Sequence, residues 1–171
     1  MRRTFLVGVA CGLALAATGC GNHRSSGAAF RTQANRVCRD VHRQSRAVDF
    51  SSSSGFARGL AGMRAGVVRL EHLHPPPGEE PAYRDLLAKL RDIDARLAAN
   101  RAELLRLQRK LKESAGRPTP RTIERFRAVV GPIERDGLRA AADARTLGLG
   151  VCATDLSGGA PLAPSLGARA T

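Results

Sequence analysis

One apolar seam constrains this chain more than any other feature. Leu86, Leu90, Ile93, Leu97, Asn100, Leu104, Leu107 and Leu111 follow one another in steps that alternate between four and three. That period places all eight on one face of a helix, and none of them is charged. Such a stripe has to be buried against other surfaces, so the seam predicts a long amphipathic helix and partners for it.

Three further segments have the same period. The first carries Phe30, Ala34, Val37, Val41 and Val48. The second carries Phe56, Leu60, Met63, Val67 and Leu70, behind a serine run able to cap it. The last opens at Thr119-Pro120, an N-cap candidate followed by proline at the first helical position. Its seam runs through Ile123, Phe126, Val130, Ile133, Gly137, Ala140, Ala144 and Leu147, and Pro132 is expected to kink it or remove a hydrogen bond. No segment reads as a strand. Four amphipathic helices joined at 49–54, 74–80 and 115–118 predict an all-α, antiparallel four-helix bundle. The third and fourth helices are the longer pair, so their hairpin is expected to project beyond the other two.

The N-terminus is organised for export. Arg2 and Arg3 precede an uncharged, mostly apolar run over residues 5–17, shorter than the roughly 20 residues that span a bilayer. Thr18-Gly19-Cys20 then resembles a bacterial lipobox, with Ala17 where leucine is commonest. The resemblance implies acylation of Cys20, cleavage before it, and attachment to the outer face of the cell membrane. The competing reading is cleavage after Ala16 at Ala14-Leu15-Ala16, which makes a freely secreted protein. The expected organisation is a signal peptide over 1–19, a lipid-anchored tether over 20–27, a helical domain over 28–153 and a disordered tail over 154–171. The last stretch is rich in Gly, Pro, Ala and Ser.

Cysteine arithmetic agrees with export. Cys11 leaves with the signal peptide, and Cys20, Cys38 and Cys152 remain. If Cys20 carries lipid, the other two are expected to pair, since outside the cytoplasm a disulfide persists; the alternative is two buried free thiols. In up-down-up-down order the start of the first helix and the end of the fourth share one end of the bundle, which brings Cys38 and Cys152 together.

These residues carry a resemblance. The chain resembles a group of small exported or lipid-anchored helical proteins of actinobacteria. The matching positions are Ala34-Asn35-Arg36-Val37-Cys38, then Leu73 with the prolines at 75–77 and Tyr83, then Leu147-Gly148-Leu149-Gly150-Val151-Cys152. Together they span about residues 30–152. The resemblance implies a helical fold and a Cys38–Cys152 pair, and it implies no activity.

Charge supplies the one functional hint. The chain has 28 Lys+Arg against 15 Asp+Glu, a formal net charge of +13. Only Lys89, Lys110 and Lys112 are lysines, a skew that GC-rich coding alone also produces. Nine basic and three acidic residues fall between Arg101 and Arg127. Arg106, Arg109, Lys110 and Arg117 are the candidates for meeting an anionic envelope polymer or an acidic protein. If the chain starts at the membrane, this tip points away from it. Nucleic acid is not expected as a partner, because the protein is exported and no aromatics interleave the arginines.

No catalytic constellation, phosphate loop or zinc-spaced cluster is present, so neither an enzyme nor a cofactor is expected. His72 and His74 stand two apart, on opposite sides of any helix, and read as a polar helix end rather than a metal site. His42 reads as solvated, and Asp92 and Asp94 as surface charge. Asn100 either fixes register inside the seam or turns to backbone or water. The functional expectation is a non-catalytic binding or scaffolding lipoprotein of the cell envelope. The alternative is a small-ligand sensor or carrier with a pocket between helices near Gly137 and Ala140.

Overall fold

The computed structural model describes residues 26–114 and 117–157. The expected signal peptide, Cys20, the expected tether through residue 25 and the expected tail beyond 157 lie outside the described residues. Within them the chain is all-helical, with six helices and no strand: α1 Gly27–Arg46, α2 Ser53–Glu71, α3 Glu80–Ala99, α4 Arg101–Glu113, α5 Pro120–Thr146 and α6 Gly150–Ser157.

The helix starts follow from local chemistry. Ser26, Ser52 and Thr119 each accept a hydrogen bond from a first-turn amide, those of Ala29, Gly55 and Thr122 respectively. Pro120 then opens α5, as the sequence predicts. The end of α5 is equally specific. Gly148 has φ +71°, its N–H donates to Arg145 O, and Leu149 N–H donates to Ala144 O. This left-handed terminus needs glycine, and it turns the chain directly into α6. Pro132 sits inside α5 without ending it.

The long third helix of the sequence reading is two helices. Asn100 separates α3 from α4 with φ −96° and ψ 8°. Its Nδ2 donates to Arg96 O at 2.9 Å, the same carbonyl that accepts its backbone N–H at 3.0 Å. A short polar side chain competing for helix carbonyls explains the interruption. Asn100 is half-exposed, and the seam on either side of it stays buried from Leu86 to Leu111.

Packing follows the predicted stripes. α2 packs on α1 and α3, α5 on α3 and α4, and α6 on both α1 and α5. The α1–α2 contact is close because α2 is glycine-rich on that side. A Cβ at Gly66 would lie 2.4 Å from Val41 Cγ2 of α1, and one at Gly59 would lie 2.2 Å from the ring of Phe50 in the connection between the two helices. The core is continuous from Phe30, Tyr83 and Leu149 through Leu86 and Leu104 to Leu111 and Phe126. Phe30 meets Tyr83 edge-on with ring centroids 5.0 Å apart. Tyr83 Oη donates to Leu70 O at 2.7 Å, so the buried hydroxyl has its partner.

Helix α6 has no counterpart among the four predicted segments. Helical structure continues through Ser157, four residues into the stretch expected as tail. It lies on the small-residue face of α5, where Ala140, Ala141 and Ala144 are fully buried. Small side chains allow one backbone to approach another closely, and here the approach is made by the chain itself.

Candidate functional site

Two regions carry residues singled out from the sequence, and the structure adds a third. The first is the cysteine pair. Cys38 on α1 and Cys152 on α6 are bonded, with Cα atoms 5.2 Å apart and a separation of 114 positions in sequence. The surrounding contacts hold α6 in register with α1. Asn35 Oδ1 accepts from Val151 N–H at 3.0 Å, and Arg31 Nε donates to Leu147 O at 3.0 Å. Arg31 also reaches Glu79 Oε1 at 2.6 Å, which ties in the approach to α3.

The second region is the α4–α5 tip. Arg106 is not a free cation: it bonds both oxygens of Glu103, at 2.8 and 2.7 Å. Arg125 on α5 reaches the same carboxylate at 3.0 Å. Hydrogen bonds from Arg106 and Arg125 hold the Glu103 carboxyl at about 2. This triad fastens α4 to α5. Arg109, Lys110 and Arg117 are exposed and have no ion pair among the described residues. The structure thus divides the four candidates into one that braces the hairpin and three that face outward. Beside them, Pro120, Ile123, Glu124 and Arg127 line a shallow depression of about 310 Å³.

The third region was not singled out from the sequence. Arg36, Arg39, Asp40, His42, Arg43 and Asp155 line an open depression of about 470 Å³ where α1 meets α6. Its acids are engaged. Asp40 accepts from Arg43 at 2.6 Å and from Arg69 at 2.9 Å, and these bonds pull its carboxyl below the ordinary value. Asp155 stands 3.2 Å from His42 Nδ1, and burial pushes its carboxyl up against the lowering effect of that imidazole. His42 is therefore not simply solvated. The acid that meets it, Asp155, lies in the stretch expected as tail. The arginines were visible as spacing: Arg36, Arg39, Arg43 and Arg46 follow α1 in steps of three, four and three, and all are exposed.

Elsewhere several ion pairs bridge helices. Arg64–Asp94 and Arg91–Glu71 link α2 to α3, and Lys89–Asp143 and Arg96–Asp136 link α3 to α5. Asp94 is thus a bridging residue rather than plain surface charge, while Asp92 is exposed. His72 forms the exposed C-cap of α2. Among the described residues no group of three or more His, Cys, Asp or Glu is placed to hold a metal ion. The face near Gly137 and Ala140, expected to offer a ligand pocket, carries α6: a Cβ at Gly137 would lie 3.4 Å from Leu156 O. No described helix is long and apolar enough to cross a membrane. No known family's sequence profile matches the chain, and no curated protein or solved structure is detectably similar to it.

Proposed function

We propose that this chain is an exported lipoprotein of the cell envelope, anchored through Cys20, whose helical domain binds or scaffolds without catalysis. The observation that carries the reading is the Cys38–Cys152 bond. A structural disulfide suits an oxidising compartment. It also leaves Cys20, in its lipobox-like setting, as the odd cysteine after the apolar run. The resemblance to small envelope proteins of actinobacteria belongs to the same proposal.

The finer architecture is an antiparallel four-helix bundle formed by α1, α2, the α3–α4 rod and α5, with α6 as an inserted latch. Contacting positions support it. Asp40 meets Arg69 while Gln44 lies beside Gly62, and Lys89 meets Asp143 while Glu103 meets Arg125. In each pair one number rises as the other falls. The tip formed by Arg109, Lys110 and Arg117, braced by Arg106, then lies at the end opposite Gly27. Its exposed cations suit an anionic polymer or acidic protein of the envelope, through attraction that weakens with salt.

Intact mass of the native protein tests the anchor. A diacylated or triacylated species beginning at Cys20 supports it, and an unmodified species beginning after Ala16 overturns it. Neutralising Arg106, Arg109, Lys110 and Arg117 together is expected to abolish retention on an anionic wall fraction at low salt. Unchanged retention removes the tip from the function.

A further inference from the structure

Among the described helices, the most positive is not at the tip. α1 carries five arginines and one aspartate, a net of +4 before His42 is counted, and its first turn has no acid. Arg36, Arg39, Arg43 and Arg46 form one exposed stripe along it. Asp40 is already bonded to Arg43 and Arg69, and Asp155 to His42. Arg36, Arg39 and Arg46 have no ion pair among the described residues. Like Arg109, Lys110 and Arg117 at the tip, these three point outward, and Arg36 and Arg39 line an open depression.

We propose that this face of α1 is a membrane-docking surface that seats the domain on anionic phospholipid headgroups, guanidinium to phosphate. The inference rests on the Cys20 anchor for its geometry. Only residues 21–25 separate Cys20 from the Ser26 cap of α1. Even fully extended, that length of chain reaches at most about 20 Å. α1 has 20 residues, about 30 Å of helix. Standing upright, it would carry Arg36 to Arg46 about 15–30 Å beyond Ser26, outside the screening length of about 8 Å in physiological salt. Lying along the surface, it brings the whole stripe within that distance. Arginine suits the contact because its planar fork donates two parallel hydrogen bonds to a phosphate. A lipid chain and a basic patch act as two additive membrane signals. This seating lays the long helices along the membrane and presents the α4–α5 tip sideways rather than away from it.

The test uses the exported chain from residue 20 onward with Cys20→Ser, so that no acyl chain contributes. It is floated with vesicles of phosphatidylglycerol in phosphatidylcholine, and with phosphatidylcholine alone, at low and physiological salt. Binding is expected to the anionic vesicles only, and to weaken with salt. R36Q/R39Q/R46Q, which leaves the Arg43–Asp40 and Arg69–Asp40 bonds in place, is expected to reduce binding by at least about tenfold. R36K/R39K/R46K keeps most of it and excludes misfolding as the cause. R109Q/K110Q/R117Q at the tip leaves it unchanged. Equal binding to both vesicle types, or loss in the tip variant instead of the α1 variant, overturns the proposal. Displacement by inorganic phosphate but not by chloride at equal ionic strength also overturns it, in favour of a discrete anion site. Because the probe lacks lipid, failure here leaves the anchor standing. An unacylated native mass would instead remove the anchor and leave headgroup binding intact.

Discussion

The two ends of this molecule solve different problems with the same helical material. At the latched end, Phe30, Ala34, Ala144 and Leu149 are fully buried, a disulfide joins α1 to α6, and Asn35 and Arg31 stitch side chains to backbone across the joint. At the tip, α4 and the start of α5 hold together through Leu111 and Phe126, each about 8% exposed, and through the Glu103 triad. Ile123 there is only half-buried. One end is secured by covalent and apolar contacts. The other combines a thinner core with outward cations. The difference teaches that outward cations occur at both ends of the molecule, while the covalent bond and the fully buried contacts of α1 and α6 belong to one.

Removing the disulfide should break this contrast most sharply. A loop of this size corresponds to about 4–5 kcal/mol in the chain-entropy argument, with measured values often smaller. The C38S/C152S protein is expected to melt at least about 10 °C lower by calorimetry. Hydrogen exchange should speed first in α6 and the facing turns of α1, with α4 least affected. Uniform acceleration in every helix would mean that the two ends are one cooperative unit.

Side-chain truncation sharpens the contrast at a smaller scale. Phe30→Ala opens a cavity beside Tyr83 and is expected to cost about 3–5 kcal/mol in denaturant unfolding. Ile123→Ala at the tip is expected to cost less than about 1 kcal/mol. Similar values for both would show the tip core to be as tightly packed as the latch.

How much of this could be read from residues alone differs between the two ends. The seams were legible because their periods are long: Leu86 to Leu111 is buried at every apolar position, with Asn100 half-exposed, and Phe126 to Leu147 is buried at its expected positions. The Thr119-Pro120 start was legible because capping chemistry is local. Helix α6 was not. Its eight residues place Val151, Cys152, Ala153 and Leu156 in no sustained stripe, and only the Gly148 turn and the α5 face explain why they are helical. Missing α6 hid the partner of His42 and the occupant of the Ala140 face. The charge pattern misled in the same way. A count of cations cannot separate Arg106, which is committed to Glu103, from Arg109, which is not.

A single hydrogen bond gives a finer comparison within the latched end. Tyr83→Phe keeps the ring on Phe30 but leaves the Leu70 carbonyl without its donor. The expected loss is about 1–2 kcal/mol, read as a shifted denaturation midpoint with an unchanged slope. If Tyr83→Phe costs as much as Phe30→Ala, the hydroxyl rather than the ring pair organises this end.

Acid should separate the two ends with the smallest signal and in opposite senses. Glu103 is held low, at about 2, by Arg106 and Arg125. Its contribution to stability is therefore present above the ordinary glutamate range and is lost as pH falls from there through about 2. Asp155 is shifted upward by burial, so its linkage has the other sign: protonation favours the fold. That contribution is complete below the ordinary aspartate value of 3.8 and disappears as pH rises through the raised one. Carbon-13 titration of the carboxyl groups reads both sites in one sample. Glu103 is expected to titrate with a midpoint near 2, and Asp155 above 3.8. R125Q should move only the Glu103 midpoint, and it should move it upward. An ordinary midpoint for Glu103 in the unaltered protein would mean that the α4–α5 bridge is open in solution. The tip would then be held by Leu111 and Phe126 alone, and Arg106 would join Arg109, Lys110 and Arg117 as an outward cation.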